Sequence, residues 1–401
     1  MSLLKSRNYR LWAAADLVSV TGTWMKVLGV NWFVLQATGS TTAMGLALML
    51  QTLPILLLGP LGGALADRLP VRRVLLVTQA AHAVLSLGFA AVVISGGSLW
   101  WLYALSLLTG VVSAADGPAL GRFGGMVAGP GLLSRALANG SLISSTGRIV
   151  GMSVGGVVAA TAGPAVLFAA NGVSFAAVIA ALLAMRTSSL HELASAPAAE
   201  RGAVRAGLRY LATQPIVLVT LAVSFVLGSL GRNYQVTMAA MSDGPLSAGP
   251  AGYGALSTVF AAGTVLGAVV IGRRRELTHQ LLIVAGLVAS GLQMLAGVAP
   301  GLWTFAAALV PIAAAAVIVD TTVASRVQLD TREDMRGRVV AATAMVSALG
   351  GMVGAPVLGA LCEGIGPRAT LVLAGAIGVL ACAGGAFALL TRRAGAPALT
   401  R

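Results

Sequence analysis

The chain has 401 residues, of which 57% are apolar and only 9% are charged, against roughly 25% charged in a typical soluble protein. With a mean hydropathy of +0.91, it has too few polar groups to cover a soluble globule, and a soluble enzyme is excluded. The net charge of +14 does not point to nucleic acid, because the bases sit between long apolar runs rather than on an aromatic-interleaved basic face.

A hydrocarbon core of about 30 Å takes about 20 helical residues to cross, and twelve stretches approach that length. In chain order they are Leu11–Leu35, Ala43–Ala66, Val74–Ile94, Leu99–Leu120, Ala136–Ala160 and Pro164–Met185, then Ile216–Met238, Tyr253–Ile271, Leu281–Val298, Leu302–Ala324, Val339–Leu361 and Thr370–Leu390. They read as helices, since barrel strands would alternate every second residue at about half the length. The first run follows Arg7 and Arg10 without a small-residue cleavage site, so it reads as a retained span.

The connections alternate in chemistry. One set carries Lys5, Arg7, Arg10, Arg68, Arg72, Arg73, Arg122, Arg135, the Arg186–Arg209 bases, Arg273 to Arg275, Arg326, Arg332, Arg336, Arg338 and the C-terminal arginines, which is 22 of the 26 bases. The opposite set holds only Arg368. By the positive-inside rule both termini are cytoplasmic. The polar segment 186–214 divides the spans six and six, which gives an N-terminal bundle 1–185, a cytoplasmic linker 186–214 and a C-terminal bundle 215–401.

The two halves repeat. A shift of 203 residues lays the fifth span on the eleventh, matching Arg135 with Arg338, Gly147 with Gly350, Gly151 with Gly354, Gly156 with Gly359 and Pro164 with Pro367. Parallel six-helix halves are the architecture of one large transporter class, with substrate bound between the halves.

These residues resemble the major facilitator superfamily, and most closely its bacterial drug and siderophore exporter branch, which includes macrolide-efflux-like and enterobactin-exporter-like proteins. Arg7-Asn8-Tyr9-Arg10-Leu11 is similar to the branch's opening. Gly63-Ala64-Leu65-Ala66-Asp67-Arg68 with Arg72-Arg73 resembles the superfamily loop after span 2, with Pro70 and Val71 in place of its Gly and basic residue. Ala251-Gly252-Tyr253-Gly254 and Arg336-Gly337-Arg338-Val339 resemble branch signatures. In the fifth span Gly147, Gly151, Gly155 and Gly156 resemble the antiporter motif, with Met152 where the family has Pro and with Ser106 where many family antiporters carry a fourth-span Arg. The resemblance implies an all-α membrane protein with twelve transmembrane helices in two pseudo-symmetric six-helix bundles. It also implies a cytoplasmic latch in which Asp67 meets a helix N-terminus of the other half, near Arg336 and Arg338.

Six charges fall inside the spans: Asp16, Lys26, Asp116, Arg148, Arg232 and Asp320. Charges at that depth face a cavity or a partner, and they are the candidate substrate and proton pathway. Arg148 lies about 18 Å along its helix from Ala136, near mid-membrane. Asp16, Asp116 and Asp320 stand in the cytoplasmic third, where a purely structural role as helix cap or loop partner is equally open. Asp16 and Asp320 are the candidate proton carriers, because a carboxylate in a low-dielectric cavity holds its proton more readily than one in water. For the fifth-span glycines, tight packing accounts for the spacing by itself, and the functional reading adds a sliding gate. The three histidines are scattered, and Cys362 and Cys382 are too few for a disulfide framework or a structural zinc site.

The expectation is therefore a non-enzymatic, cofactor-free secondary transporter of the bacterial plasma membrane. It would be monomeric in the bilayer and export an amphipathic small molecule in exchange for protons. A siderophore exporter of the same fold is the alternative, and a proton-coupled importer a more distant one. No phosphate-binding loop is present for direct use of ATP.

Overall fold

The computed structural model describes residues 3–129, 131–191, 209–231, 233–274 and 276–394. Among these, thirteen long helices account for the twelve expected spans. They are α1 (Arg7–Thr38), α2 (Thr41–Arg68), α3 (Val71–Ile94), α4 (Leu99–Ala128), α5 (Leu133–Ala162), α6 (Pro164–Ala184), α7 (Pro215–Gly231), α8 (Tyr234–Asp243), α9 (Gly249–Gly272), α10 (His279–Gly297), α11 (Leu302–Leu329), α12 (Arg336–Ile365) and α13 (Pro367–Ala394).

Local chemistry sets the ends. The Ser6 and Ser40 hydroxyls accept the Tyr9 and Ala43 amides and open α1 and α2, and Thr278 does the same for α10 through Leu281. Such caps satisfy donors that a helix start leaves orphaned. Gly39, at φ 63°, closes α1 in the left-handed region with its amide on the Leu35 carbonyl. That conformation is open to Gly without strain.

Eleven helices have the length and hydropathy to cross a membrane when α7 and α8 count as one span. The remaining helix, α1, has 32 residues but places Asp16, Lys26, Asn31 and several hydroxyls among its apolar residues. The seventh span is expected as one helix, and among the described residues Asn233, between α7 and α8, is not helical. A break inside hydrocarbon frees carbonyls that must be met by protein. Asn233 Nδ2 donates to the Ser229 carbonyl at 3.0 Å and Gln293 Nε2 donates to that of Leu230 at 3.3 Å.

The chain forms two compact units, Met1–Ala198 with Ser247–Thr258, and Ala199–Leu246 with Val259–Arg401. In the first, α1 packs on α5 and α6, and α2 packs on α4. The segment Ser247–Thr258, which carries the start of α9, belongs here. Asn31 donates to the Tyr253 hydroxyl at 3.0 Å, the Trp32 and Tyr253 rings stack at 6.2 Å, and the Ser153 and Thr258 hydroxyls lie 2.8 Å apart. In the second unit, α10 packs on α11 and α13, and α7 packs on α12 and α13.

The sequence repeat reappears as repeated contacts. A Cβ on Gly151 of α5 would stand 2.5 Å from the Thr21 carbonyl oxygen of α1. A Cβ on Gly354, its counterpart in α12, would strike the Ser229 carbonyl of α7. Likewise Gly62 of α2 abuts the Ala114 carbonyl of α4, and Gly267 of α9 abuts that of Ala314 on α11. With apolar lipid outside, helix association rests on this close approach rather than on hydrophobic burial.

Gly62→Ala is therefore expected to destabilise the protein by about 1–3 kcal/mol, the range for overpacking a tight contact. Gly63→Ala, whose added methyl meets nothing within 4 Å beyond its own helix backbone, should leave stability unchanged or raise it slightly, since Ala favours a helix over Gly. Thermal unfolding of the two purified variants in detergent checks this, and equal loss in both would contradict it.

Candidate functional site

The first unit carries two adjoining cavities, of about 540 and 320 Å³. Trp12, Asp16, Leu120 and Ser144 line both. The smaller one is walled by α1, α2, α3, α4, α5 and α6, with Thr23, Trp24, Lys26, Gln51, Gln79, His82, Thr109, Ser113, Asp116 and Phe175 among its lining. Three of the six intramembrane charges expected on a pathway thus meet in one place. Asp16 and Lys26 come from the same helix, ten residues and so about 15 Å apart along its axis.

Asp116 is held from one side. Its Oδ1 accepts the Thr78 hydroxyl at 2.5 Å and the Gln79 amide at 3.0 Å, and its Oδ2 lies 3.9 Å from His82 Nε2. The imidazole stacks on Phe175 at 5.2 Å. A polar line on α3 continues from this point, with Ser86 accepting from Asn171 of α6 at 2.6 Å. Thr78, His82 and Ser86 recur every four residues, which places them on one helix face.

Lys26 is 5% exposed. Its ammonium sits 5.6 Å from the Phe89 ring centre. Among the described residues it has no hydrogen-bond acceptor and no carboxylate within ion-pair distance. A cation–π contact contributes about 0.5–2 kcal/mol, whereas a charge at mid-membrane costs about 2.5–3.5 kcal/mol on the most lenient scales. The Phe89 contact therefore offsets only part of the cost of keeping this ammonium charged.

The other expected residues lie elsewhere. The Arg148 guanidinium stands 5.6 Å from the Trp24 ring centre, on the wall next to the cavity. Asp320 of α11 lines a small cavity of about 20 Å³ in the second unit, with Ser224, Tyr234, Ser290 and Gln293. Arg232 lies outside the described residues, as do Arg201, Arg205 and most of the 186–214 segment. Gly147, Gly151 and Gly155 face Val20, Thr21 and Met25 of α1, and Gly156 faces Gly254. Asp67 receives the Arg122 guanidinium at 2.5 Å, and the same Nη1 also donates to the Ala66 carbonyl at 3.3 Å. Arg72 donates to the Leu182 and Leu183 carbonyls, while Arg68 and Arg73 are exposed. Arg336 donates to the Gln328 carbonyl and to Glu333, and Arg338 to the Met335 sulfur. Among the described residues no cluster of His, Cys, Asp and Glu has a metal-binding arrangement.

Against known proteins, residues 2–395 match the family profile described as "Transmembrane secretion effector", a family of major facilitator type. The chain belongs to this major facilitator family. A curated relative, the uncharacterized MFS-type transporter YfiS of Bacillus subtilis, is 26% identical over 378 residues, covering 91% of this chain and 89% of that one. The Staphyloferrin A transporter of Staphylococcus aureus is 28% identical over 161 residues, 38% of this chain and 39% of its own. Two solved structures share the fold. The nucleoside transporter NupG has a TM-score of 0.77 at 13% identity, covering 96% of this chain and 100% of its own. A bacterial homolog of the human lysosomal transporter Spinster has a TM-score of 0.71 at 16% identity, covering 96% and 97%. This major facilitator protein is accordingly a multi-pass membrane transporter of small molecules and not an enzyme.

Reading the sequence alone passes over Thr78, Gln79 and Gln51, which are uncharged, and takes His82 as a surface or packing residue. The four-residue spacing of Thr78, His82 and Ser86 in an otherwise oily helix is the signal that finds the polar line on α3. Arg122 counts there only toward topology, since nothing in its neighbourhood along the chain names Asp67 as its partner.

Asp116→Ala removes the acceptor of the Gln79 amide, while Thr78 keeps the Leu75 carbonyl at 3.1 Å. The expected loss is about 1–3 kcal/mol, the cost of one buried unsatisfied group. Asp116→Asn retains an acceptor and should lose less. Melting temperatures of the two variants compare them directly, and a larger loss in Asn than in Ala would refute the assignment.

Proposed function

We propose that the protein is a secondary active exporter of amphipathic small molecules, working by alternating access in exchange for protons. The observation that carries this reading is the polar cavity in the first unit. There Asp16, without a partner among the described residues, stands where the two chambers meet. A carboxylate so placed reaches both the larger chamber and the ligand-sized one, which falls in the 300–1,000 Å³ range of small-molecule sites. Asp320, in its own small cavity, is the second proton carrier.

Export rather than import is supported by the antiporter-like glycines of α5 and by the family's description as a secretion effector. The 22 bases on alternate connections support a bacterial plasma membrane location with both termini in the cytoplasm, and the protein acts as a monomer. Asp67 serves in a latch, and its bond to Arg122 holds the carboxylate in place at the end of α2. The similarity to the Staphyloferrin A transporter over 161 residues favours one alternative, a siderophore exporter.

Expressed in an efflux-deficient bacterium, the protein should lower accumulation of a panel of amphipathic antibiotics, and a proton uncoupler should abolish the effect. Asp16→Asn combined with Asp320→Asn should remove transport driven by a pH gradient in proteoliposomes. Unchanged gradient-driven flux in that double variant would rule out both as carriers. Asp67→Asn should cut the transport rate several-fold with normal membrane insertion, and wild-type flux would dismiss the latch.

A further inference from the structure

We infer that the smaller cavity of the first unit is an anion subsite centred on Lys26, and that the molecules it takes are amphipathic carboxylates. The inference rests on the transport reading above and names the chemistry of the cargo. Lys26 is 95% buried by its 5% exposure, and it lines the cavity. No described residue supplies its ammonium with an oxygen.

The nearby acids do not fill that role. Asp116 is turned toward α3, with Oδ1 occupied by Thr78 and Gln79 and Oδ2 facing His82. Asp16 is on the same helix, about three turns away. The ring of Phe89 stabilises a cation through its face but offers no hydrogen-bond acceptor. An ammonium has three donors and no acceptor, so the group that completes this site brings oxygen lone pairs, and a negative charge serves best in a low dielectric.

The rest of the cavity sets what is attached to that anion. Trp12, Trp24 and Phe175 supply flat apolar walls, while Gln51 and Thr109 add neutral polar contacts. A molecule with a carboxylate on an aromatic or fused-ring body meets all three requirements. A purely cationic one places like charge against Lys26.

Three dansyl probes of nearly equal size test the subsite: dansylglycine, its neutral amide dansylglycinamide, and the cation dansylethylenediamine. Binding is read on the full-length protein in detergent by dansyl fluorescence. The acid should bind at least tenfold more tightly than the amide, with the cation weakest. Lys26→Met should erase the preference for the acid while leaving amide binding within twofold, and Lys26→Arg should retain it. The chain has only two lysines, Lys5 and Lys26, so a second measurement needs no variant. Dansylglycine should protect Lys26 from reductive methylation, read by mass spectrometry, with exposed Lys5 as the internal control.

Equal affinity for acid and amide, a preference for the cation, or undiminished methylation of Lys26 would each overturn the proposal. Displacement of dansylglycine by millimolar inorganic phosphate would reassign the site to a small free anion and overturn the amphipathic part. These binding measurements need no gradient and have no direction. Uptake of the acid instead of extrusion would defeat export and leave the subsite standing, and extrusion of cations alone would do the reverse.

Discussion

Hydrocarbon solvates neither a peptide group nor a charge, so every such group in a membrane-spanning chain has to find its partner within the protein. The architecture described here follows from that constraint. Long helices satisfy their own backbones, hydroxyl caps and terminal glycines close their ends, and next to the non-helical Asn233 the Ser229 and Leu230 carbonyls accept from Asn233 and Gln293. Among the described residues, some charged side chains pair near helix ends, and three of the intramembrane ones line a cavity.

The two treatments are separable. Near helix ends, Arg122 meets Asp67 in the first unit, and Arg326 and His279 meet Asp330 in the second, His279 at 3.0 Å. Arg122 and Arg326 neutralise Asp67 and Asp330, and these contacts hold neighbouring segments in register. Within the first unit Asp16 and Lys26 are left to the cavity instead, and Asp116 is fixed by neutral donors. Among the described residues, the first unit thus pairs an acid with a base near its helix ends and leaves the Asp16 carboxylate and the Lys26 ammonium lining the cavity without an ion-pair partner.

Close backbone contact makes such a cavity tolerable. Gly62 against Ala114 and Gly151 against Thr21 lock α2 to α4 and α1 to α5, which fixes the walls without large side chains filling the interior. The same device recurs at Gly267 and Gly354 in the second unit. A helix pair joined backbone to backbone also has little side-chain interdigitation to undo. That property suits elements that move as bodies during transport.

Twelve oily stretches and the pairing of Gly151 with Gly354 were legible in the sequence, because hydropathy and small-residue spacing are each properties of one segment taken alone. The intramembrane charges were equally visible, since a charge in an apolar run stands out without knowledge of its neighbours. Tertiary structure decided what those charges meet. It drew Asp16, Lys26 and Asp116 to one cavity of the first unit. It matched Asp67 with Arg122, 55 positions away, and brought in Thr78 and Gln79, whose lack of charge hid them, with His82 beside them. It also placed a non-helical residue, Asn233, in the seventh span, which hydropathy runs straight across. Hydropathy is a sum along one helix, whereas partnership depends on the azimuth of each side chain and on the crossing of helices distant in the chain. Neither can be written in a single segment.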